Sequence, residues 1–297
     1  AGRAGRAGRG ARGAKLAPRQ PTAAVTRPFV KAFAGLDWYI LADRWPDPRL
    51  YLSVRGGTTE VPHGHMDLTS FHCVVGGEAL INTISAAEYL DTTFSPRRYE
   101  LFEMTPPAKN AVLINGVGHG RPARVKSRAL AVQGFPAVRI DGTAAMTQSR
   151  DGQPVGSFYG RLFVLFGAAG VVVIDRVKLF HFARAETRLQ SLARWRVEKE
   201  TAVVRGRRES LAAAFAASVP AVLQTALPAL TTPGHSLNTL RWCSRSLHEA
   251  LTFVTLLTPG RTPGRVTVEE SRAGLAVTVR IGRFSRRLRL NDRLLPR

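Results

Sequence analysis

Between Arg161 and Asp175 the chain reads RLFVLFGAAGVVVID, thirteen apolar or glycine residues closed by an arginine and an aspartate. This longest apolar run of the sequence is shorter than the ~20 residues that a helix needs to cross a bilayer. Its GAAG segment, residues 167–170, is a turn signal between two runs rich in branched and aromatic residues. We therefore predict two buried strands joined at this turn, and no membrane span.

The sequence on either side continues this pattern of short strands and turns. Turn-forming pairs such as Asn115-Gly116 and Asp151-Gly152 separate runs of β-branched and aromatic residues. Asn115-Gly116 also tolerates the positive φ angles of a type I′ turn. Between Val266 and Leu290 apolar and polar residues mostly alternate, which predicts a three-stranded meander with one buried face. Together these signals indicate a mainly β domain over residues 29–297, built as a sandwich or a barrel.

The N-terminal residues have a different composition. Residues 1–31 contain eight Lys or Arg and no acidic residue, and Ala-Gly-Arg triplets open the chain. Since little in this segment can be buried, residues 1–28 are predicted to form a disordered basic tail. The tail lacks the apolar segment of a signal peptide.

The net charge of +22 bears on the partner, because removing the eight charges of residues 1–31 still leaves about +14 on the rest of the chain. A basic body suits an acidic polysaccharide as well as a nucleic acid, so charge alone does not choose between them. Non-specific, salt-dependent binding of nucleic acid by the tail is a further expectation.

A second motif carries the candidate site. Two histidines and a carboxylate, His63, His65 and Asp67, fall within five residues. On an extended strand, residues two apart point to the same side, so the three side chains are expected to project together. Imidazole and carboxylate at this spacing suit a metal ion or acid-base chemistry. A cupin metal site is the weaker alternative, since its glutamate position is not filled and Glu78 lies too far along the chain.

Four segments, in order, resemble the heparinase II/III-like family of polysaccharide lyases. HGHMDLTSF from His63 is similar to the family's H-G-H-x-D-x-x-S-F signature, and GEALIN from Gly77 to its G-E-x-L-L-x-D-like strand. AKNAVLING from Ala108 resembles the A-H-N-T segment, and VVVIDRV from Val171 resembles a later strand that ends in aspartate. The resemblance covers roughly residues 35–190 and implies an antiparallel β-sandwich.

The resemblance also implies an activity. It is β-elimination on a uronic-acid residue of an acidic polysaccharide, in the periplasm or outside the cell, together with a helical toroid domain that this sequence does not contain. His63 is then the catalytic candidate and His65 a ligand of a structural zinc ion. The other zinc positions hold Asn82 and Lys109, which are poor ligands. We therefore expect that zinc has been lost and that Lys109 places a positive charge in its stead.

Other side chains are expected to contact the sugar chain, because they are basic or lie where they could line a cleft. These are Tyr89, Arg97, Arg98, Tyr99 and Lys109. The altered zinc positions keep a second function open, a non-catalytic sandwich that binds acidic glycans.

One segment does not follow the strand pattern. Residues 210–227 are rich in alanine and favour a helix by propensity, although Pro220 interrupts them. The resemblance implies strands there, and we follow it. Trp195 and Trp242 nearby are expected to be core aromatics and not platforms for sugar rings.

Overall fold

A computed structural model describes residues 23–83, 90–146, 155–226, 229–230, 236–272 and 274–297. These residues form short 3₁₀ segments at Pro96–Glu100, Phe102–Met104, Pro106–Ala108, Thr143–Ala145 and Gly167–Ala169. Their strands are, in chain order, β1 (Phe29–Phe33), β2 (Trp38–Ala42), β3 (Leu50–Arg55), β4 (Phe71–Val75), β5 (Glu78–Ile81), β6 (Val112–Ile114), β7 (Lys126–Val132), β8 (Phe135–Asp141), β9 (Gly156–Leu165), β10 (Val171–Ala183), β11 (Ala185–Ser191), β12 (Trp195–Glu198), β13 (Thr201–Arg205), β14 (Ser210–Ala217), β15 (Ala221–Thr225), β16 (Ala229–Leu230), β17 (Ser236–Ser244), β18 (His248–Pro259), β19 (Arg265–Ser271), β20 (Gly274–Ile281) and β21 (Phe284–Leu290).

The centre of the fold is an eight-stranded antiparallel sheet in the order β12-β13-β14-β18-β10-β9-β8-β7. Within it β9 and β10 pair in register, with Val171 opposite Leu165 and Asp175 opposite Arg161. The prediction of two buried strands joined at residues 167–170 is therefore confirmed. Within the described ranges, no helix has the length and apolar character needed to cross a membrane.

Two hydrophobic clusters lie on opposite faces of this central sheet. Successive residues of a strand point to opposite faces, so Phe163 and Val173 join one cluster while Leu162 and Ile174 join the other. The first cluster also contains residues of the β1-β2-β3-β4-β5 sheet and of the β15-β17-β11-β6 sheet, and the second contains residues of the β19-β20-β21 sheet. Layers on both faces confirm a mainly β, antiparallel sandwich, and the last sheet is the predicted meander.

The alanine-rich segment forms strands, as the resemblance implied. Ser210–Ala217 pairs with β13 and β18, and Ala221–Thr225 pairs with β17. Ala212, Ala213 and Ala214 are buried inside the central sheet, where their small side chains let the layers approach. Tertiary packing here outweighs a helix propensity of a few tenths of a kcal/mol per residue. Residues 227 and 228 lie outside the described part of the chain.

Two other expectations concern the aromatic core and the N-terminal segment. Trp195 and Trp242 are both buried, which confirms them as core residues.

Residues 1–22 of the predicted tail lie outside the described residues, while the part from residue 23 onwards is described. In that part Val25 and Trp45 exchange two backbone hydrogen bonds of 2.8 Å.

The predicted type I′ turn is present. Asn115 and Gly116 have φ angles of 49° and 81°, and Ile114 pairs with Val117 across the turn. This turn ends β6 without joining two strands of one sheet.

Gly116 gives a clean test of this backbone constraint, because a Cβ added there would meet nothing within 4 Å while φ stays positive. Gly116→Ala is expected to lower the free energy of unfolding by about 1 kcal/mol in urea titrations. Gly35→Ala is the control, since Gly35 also has open space but no left-handed φ. An equal loss of unfolding free energy in both variants would contradict the left-handed backbone assigned to Gly116.

Candidate functional site

The segment that contains His63, His65 and Asp67 lies in the loop of residues 56–70, which joins β3 to β4. The expectation of one extended strand is therefore wrong. The physical reason is the backbone, since His63 and Thr69 have φ angles of 57° and 69°, which turn the chain. The alternation of an extended strand does not apply, yet all three side chains line the same cavity.

This cavity has a volume of about 940 Å³ and is open to solvent. Several residues that line it were not found from the sequence, namely Trp38, Tyr51, Arg55 and Arg124. The sequence did hold one signal of these residues, because aliphatic residues occupy every second position of LYLSVR in β3, which indicates a strand with one face in the core. Its leucine and valine side chains are buried, while those of Tyr51 and Arg55 are half-buried at the cavity.

A buried ion pair fixes the loop to the central sheet. Arg161 and Asp175, each about 1% exposed, form a two-pronged ion pair with N–O distances of 2.6 and 2.9 Å. The remaining nitrogen Nη1 of Arg161 donates to the carbonyl oxygens of Thr69 at 2.9 Å and of Asn110 at 2.5 Å. A single guanidinium thus holds the end of the histidine loop and the segment that carries Lys109.

Asn110 extends this anchoring to the neighbouring strands. Its Nδ2 donates to the carbonyl oxygens of Phe71, at 2.7 Å, and Asn82, at 3.0 Å, and its Oδ1 accepts from the backbone N–H of Gln190 at 2.6 Å. The backbone N–H of Asn110 donates to Ser70 Oγ at 3.1 Å. Because every polar atom of the buried Asn110 amide is used in this way, the residue is part of the scaffold.

Glu78, from the second motif, lies elsewhere. Its carboxylate accepts hydrogen bonds from the backbone N–H groups of residues 207, 208 and 209, at 2.6 to 2.9 Å. These donors lower the pKa of Glu78. Glu78 therefore holds a turn and does not line the cavity, as the argument against a cupin site expected.

Lys109 lies fully buried behind the cavity. Its Nζ is 3.0 Å from His65 Nδ1 and donates to the carbonyl oxygen of Glu103 at 2.6 Å. Burial lowers the pKa of Lys109 to about 8, while the carboxylates of Asp67 and Glu103 oppose this shift. Lys109 is thus an internal cation at neutral pH.

The contact with Lys109 sets the proton position on His65. Burial, followed by the charges of Lys109 and Arg98, lowers the pKa of His65 to about 4, so the imidazole is neutral at pH 7. Because an ammonium group can only donate, Nδ1 of His65 accepts and Nε2 carries the proton. His65 is therefore a neutral hydrogen-bond donor at the cavity.

Three other polar side chains line the cavity or support its loop. His119 is buried, accepts from the backbone N–H of Leu68 at 3.1 Å and contacts the carbonyl oxygen of Gly120 at 2.8 Å, so it supports the loop. His72 lines the cavity beside Thr83 Oγ1. Asp67 Oδ1 has no hydrogen-bond donor among the described residues, although Arg55 Nε lies 3.6 Å away.

His63 is exposed at the edge of the cavity. Its ring packs edge-to-face against Phe94, with 5.5 Å between centroids. The left-handed φ of a residue other than glycine stores strain of the kind found at functional sites. Arg98 Nη2 and Tyr99 Oη contact the loop carbonyls of His63 and Gly64, each at 3.3 Å, and thus hold the loop from outside the cavity.

Two other residues that were predicted to contact the sugar chain are Arg97 and Tyr89. Arg97 is exposed and forms an ion pair of 2.9 Å with Glu100, and it does not line the cavity. Tyr89 lies outside the described residues. Substrate binding by Tyr89, Arg97, Arg98, Tyr99 and Lys109 stays a prediction.

The expected zinc ligands do not fit a metal ion. The nitrogen Nδ1 of His65 already accepts from Lys109, and an ammonium group has no lone pair to offer. Asn82 offers only the oxygen of a neutral amide, which binds zinc weakly. Across the described ranges, no group of three or more His, Cys, Asp or Glu side chains is arranged to hold a metal.

Comparison with solved structures identifies the fold. The chain is similar to the heparan sulfate lyase HepC from Pedobacter heparinus, with a TM-score of 0.68 and 11% identity over 91% of this chain. It is also similar to heparinase III, with a TM-score of 0.67 and 12% identity over 87% of this chain. The matched parts are 43% and 42% of those proteins, so the chain spans less than half of their length.

Comparisons with protein-family models and with curated proteins give no match. At identities of 11 and 12% the likeness shows a shared fold, and the resemblance drawn from the motifs is confirmed at that level.

The anchoring role of Arg161 can be tested by removal of its charge. Arg161→Met leaves Asp175 charged without its partner and leaves the carbonyls of Thr69 and Asn110 without a donor, so the free energy of unfolding should fall by about 3–5 kcal/mol. Chemical denaturation measures this loss. Arg139→Met in β8 is the control, since Arg139 is less buried and lies 3.2 Å from Asp141. A loss at Arg161 no larger than at Arg139 would contradict the account.

Proposed function

We propose that this chain is the β-rich part of a polysaccharide lyase that cleaves an acidic, uronic-acid-containing polysaccharide by β-elimination. The observation that carries the proposal is the cavity, where His63, His65, His72 and Asp67 meet. It occurs on a fold shared with heparan sulfate lyases. Its volume of about 940 Å³ is at the upper end of ligand sites and suits more than one sugar unit.

The reaction makes three chemical demands. A base removes the proton at C5, the released electron pair forms the C4–C5 double bond, and the C4–O bond breaks as the departing oxygen takes up a proton. The C6 carboxylate must accept hydrogen bonds or positive charge, because this acidifies the C5 proton. Groups that transfer protons and groups that stabilise the carboxylate are therefore needed on the same sugar ring.

The cavity offers side chains for each demand. His63 is exposed at its edge and is our candidate for proton transfer. His65, neutral and with Nε2–H, is suited to donate to the C6 carboxylate, and exposed Arg124 adds positive charge. Trp38 is 43% exposed on the cavity wall and offers a flat apolar face to a sugar ring.

We further propose that turnover requires a helical domain outside these residues and takes place in the periplasm or outside the cell. The chain matches less than half of each similar lyase, which supports a second part. Polymeric acidic substrates of this kind lie outside the cytoplasm, which supports the location.

Binding of acidic glycans without turnover is the second candidate function. It is favoured by Asn82 and Lys109 at the positions where the resemblance implies zinc ligands. Nucleic-acid binding by the basic tail stays a prediction, because residues 1–22 lie outside the described part.

The role of His63 is tested with heparan sulfate as the probe and with the helical domain present, because turnover is proposed to require that domain. If His63 transfers a proton, His63→Ala should lower the rate of formation of ultraviolet-absorbing unsaturated product by about 10²- to 10⁴-fold. His181→Ala is the control, since His181 is an exposed histidine of β10 that does not line the cavity.

Two results separate the candidate functions. Product formation that His63→Ala does not slow would remove His63 from the mechanism. Saturable heparan sulfate binding with no product even when the helical domain is present, and no effect of His63→Ala on the affinity, would favour the binding-only function.

We also propose that no zinc ion is needed, because the ammonium group of Lys109 orients His65 from within the protein. Metal analysis of purified protein should find far less than one zinc per chain, and a chelator should leave the unfolding midpoint unchanged. About one tightly held zinc per chain, or a clear drop in the midpoint on chelation, would contradict this proposal.

A further inference from the structure

The outer face of the β19-β20-β21 sheet is unusually rich in arginine. Residues 261–297 contain ten arginines, all exposed, and three acidic residues, and four of the arginines lie on this face, at positions 265, 280, 287 and 289. We propose that this face is a second binding surface for an acidic polysaccharide, distinct from the cavity. The class of ligand rests on the proposed function, whereas the surface itself rests on the strand register and on the charges of this face.

The surface lies on the far side of the central sheet from the cavity. Valines and leucines of β19, β20 and β21 belong to the cluster that contains Leu162 and Ile174. The cavity strands β2 and β3 instead contribute to the cluster that contains Phe163 and Val173. A polysaccharide on the outer face therefore has no access to His63 from there, and the two surfaces can be altered separately.

The register of the three strands places the polar side chains in rows. Arg265 lies opposite Arg280, which lies opposite Ser285. The next row on the same face is Thr267, Thr278 and Arg287, and the third is Glu269, Ala276 and Arg289. Neighbouring strands are about 4.8 Å apart, so the arginines and hydroxyl groups of these rows lie at short distances from one another on this sheet face.

Little negative charge compensates these arginines. Glu269 pairs with Arg287 at 2.8 Å, while Glu270 and Asp292 are engaged by Arg176 of β10. Within the described ranges, no ion pair or side-chain hydrogen bond involves Arg265, Arg280 or Arg289.

The pair Arg265 and Arg280 is informative because of its position. Like charges directly opposite on antiparallel strands destabilise a sheet. Sulfate or carboxylate groups placed between two such guanidinium groups would remove this repulsion and would gain paired, charge-assisted hydrogen bonds. The arrangement is thus unfavourable in the free protein and favourable in a complex with a polyanion.

The same charges would attract duplex nucleic acid, but other features of this face favour a polysaccharide. The face is a short antiparallel sheet with Thr267, Thr278 and Ser285 among the arginines. Hydroxyl groups at these positions suit the many hydroxyl groups of a sugar chain. The fold similarity to heparan sulfate lyases favours the same choice.

The test uses the full-length chain with Arg265, Arg280 and Arg289 all replaced by glutamine. Affinity for heparin, with dextran as the uncharged polymer, is measured over a series of salt concentrations. The slope of log Kd against log salt should fall by roughly 2 to 3, and the variant should leave a heparin column at lower salt. Its unfolding midpoint should stay the same or rise, because the repulsion between Arg265 and Arg280 is removed.

A matched triple variant controls for charge alone. Arg128, Arg196 and Arg205 are exposed arginines on β7, β12 and β13, and their replacement by glutamine removes the same charge. An equal loss of heparin affinity in both triple variants would overturn the proposed surface. Loss of binding to a short DNA duplex with unchanged heparin affinity would overturn the ligand assignment.

The lyase proposal is tested apart from this surface in the same proteins. Arginine-dependent heparin binding, with no unsaturated product formed even when the helical domain is present, would leave this surface in place while the lyase proposal fails. Product formation from short oligosaccharides, together with heparin binding that does not depend on the three arginines, would support the lyase proposal and overturn this surface.

Discussion

The ion pair of Arg161 and Asp175 is the constraint on which the candidate site depends. Removing two charges from water costs several kcal/mol per ion, and only complete pairing offsets this cost. Arg161 achieves it by donating to both oxygens of Asp175 and to the carbonyls of Thr69 and Asn110. This pair and Asn110 tie the histidine loop and the Lys109 segment to the central sheet, and His119, Arg98 and Tyr99 add further contacts to the same loop.

The chemistry of the cavity follows from the groups packed behind it. Burial, followed by the charge of Lys109, keeps His65 neutral, and the hydrogen bond from fully buried Lys109 leaves the remaining proton of His65 on Nε2. His63, whose backbone has a left-handed φ of 57°, stays exposed at the cavity edge. Two histidines that are adjacent in the motif therefore have different surroundings, and this difference permits different roles on one sugar ring.

Much of the fold could be predicted from the sequence, and less of the site. The run from Arg161 to Asp175 indicated the central strands because strands buried on both faces are continuously apolar. The histidine motif located the loop, but its geometry depends on left-handed backbone angles that spacing does not reveal. Trp38 and Arg124 could not be predicted as cavity residues, since they come from segments far apart in sequence that only the tertiary fold brings together.

The central claim is that an acidic sugar chain binds in the histidine-lined cavity, and the seven histidines of the chain are natural reporters. The direct measurement is NMR of the imidazole groups during titration with a heparan sulfate oligosaccharide. We predict saturable shifts of His63, His65 and His72, with little change at exposed His181 of β10. Tight binding that leaves all three cavity histidines unshifted would contradict the account.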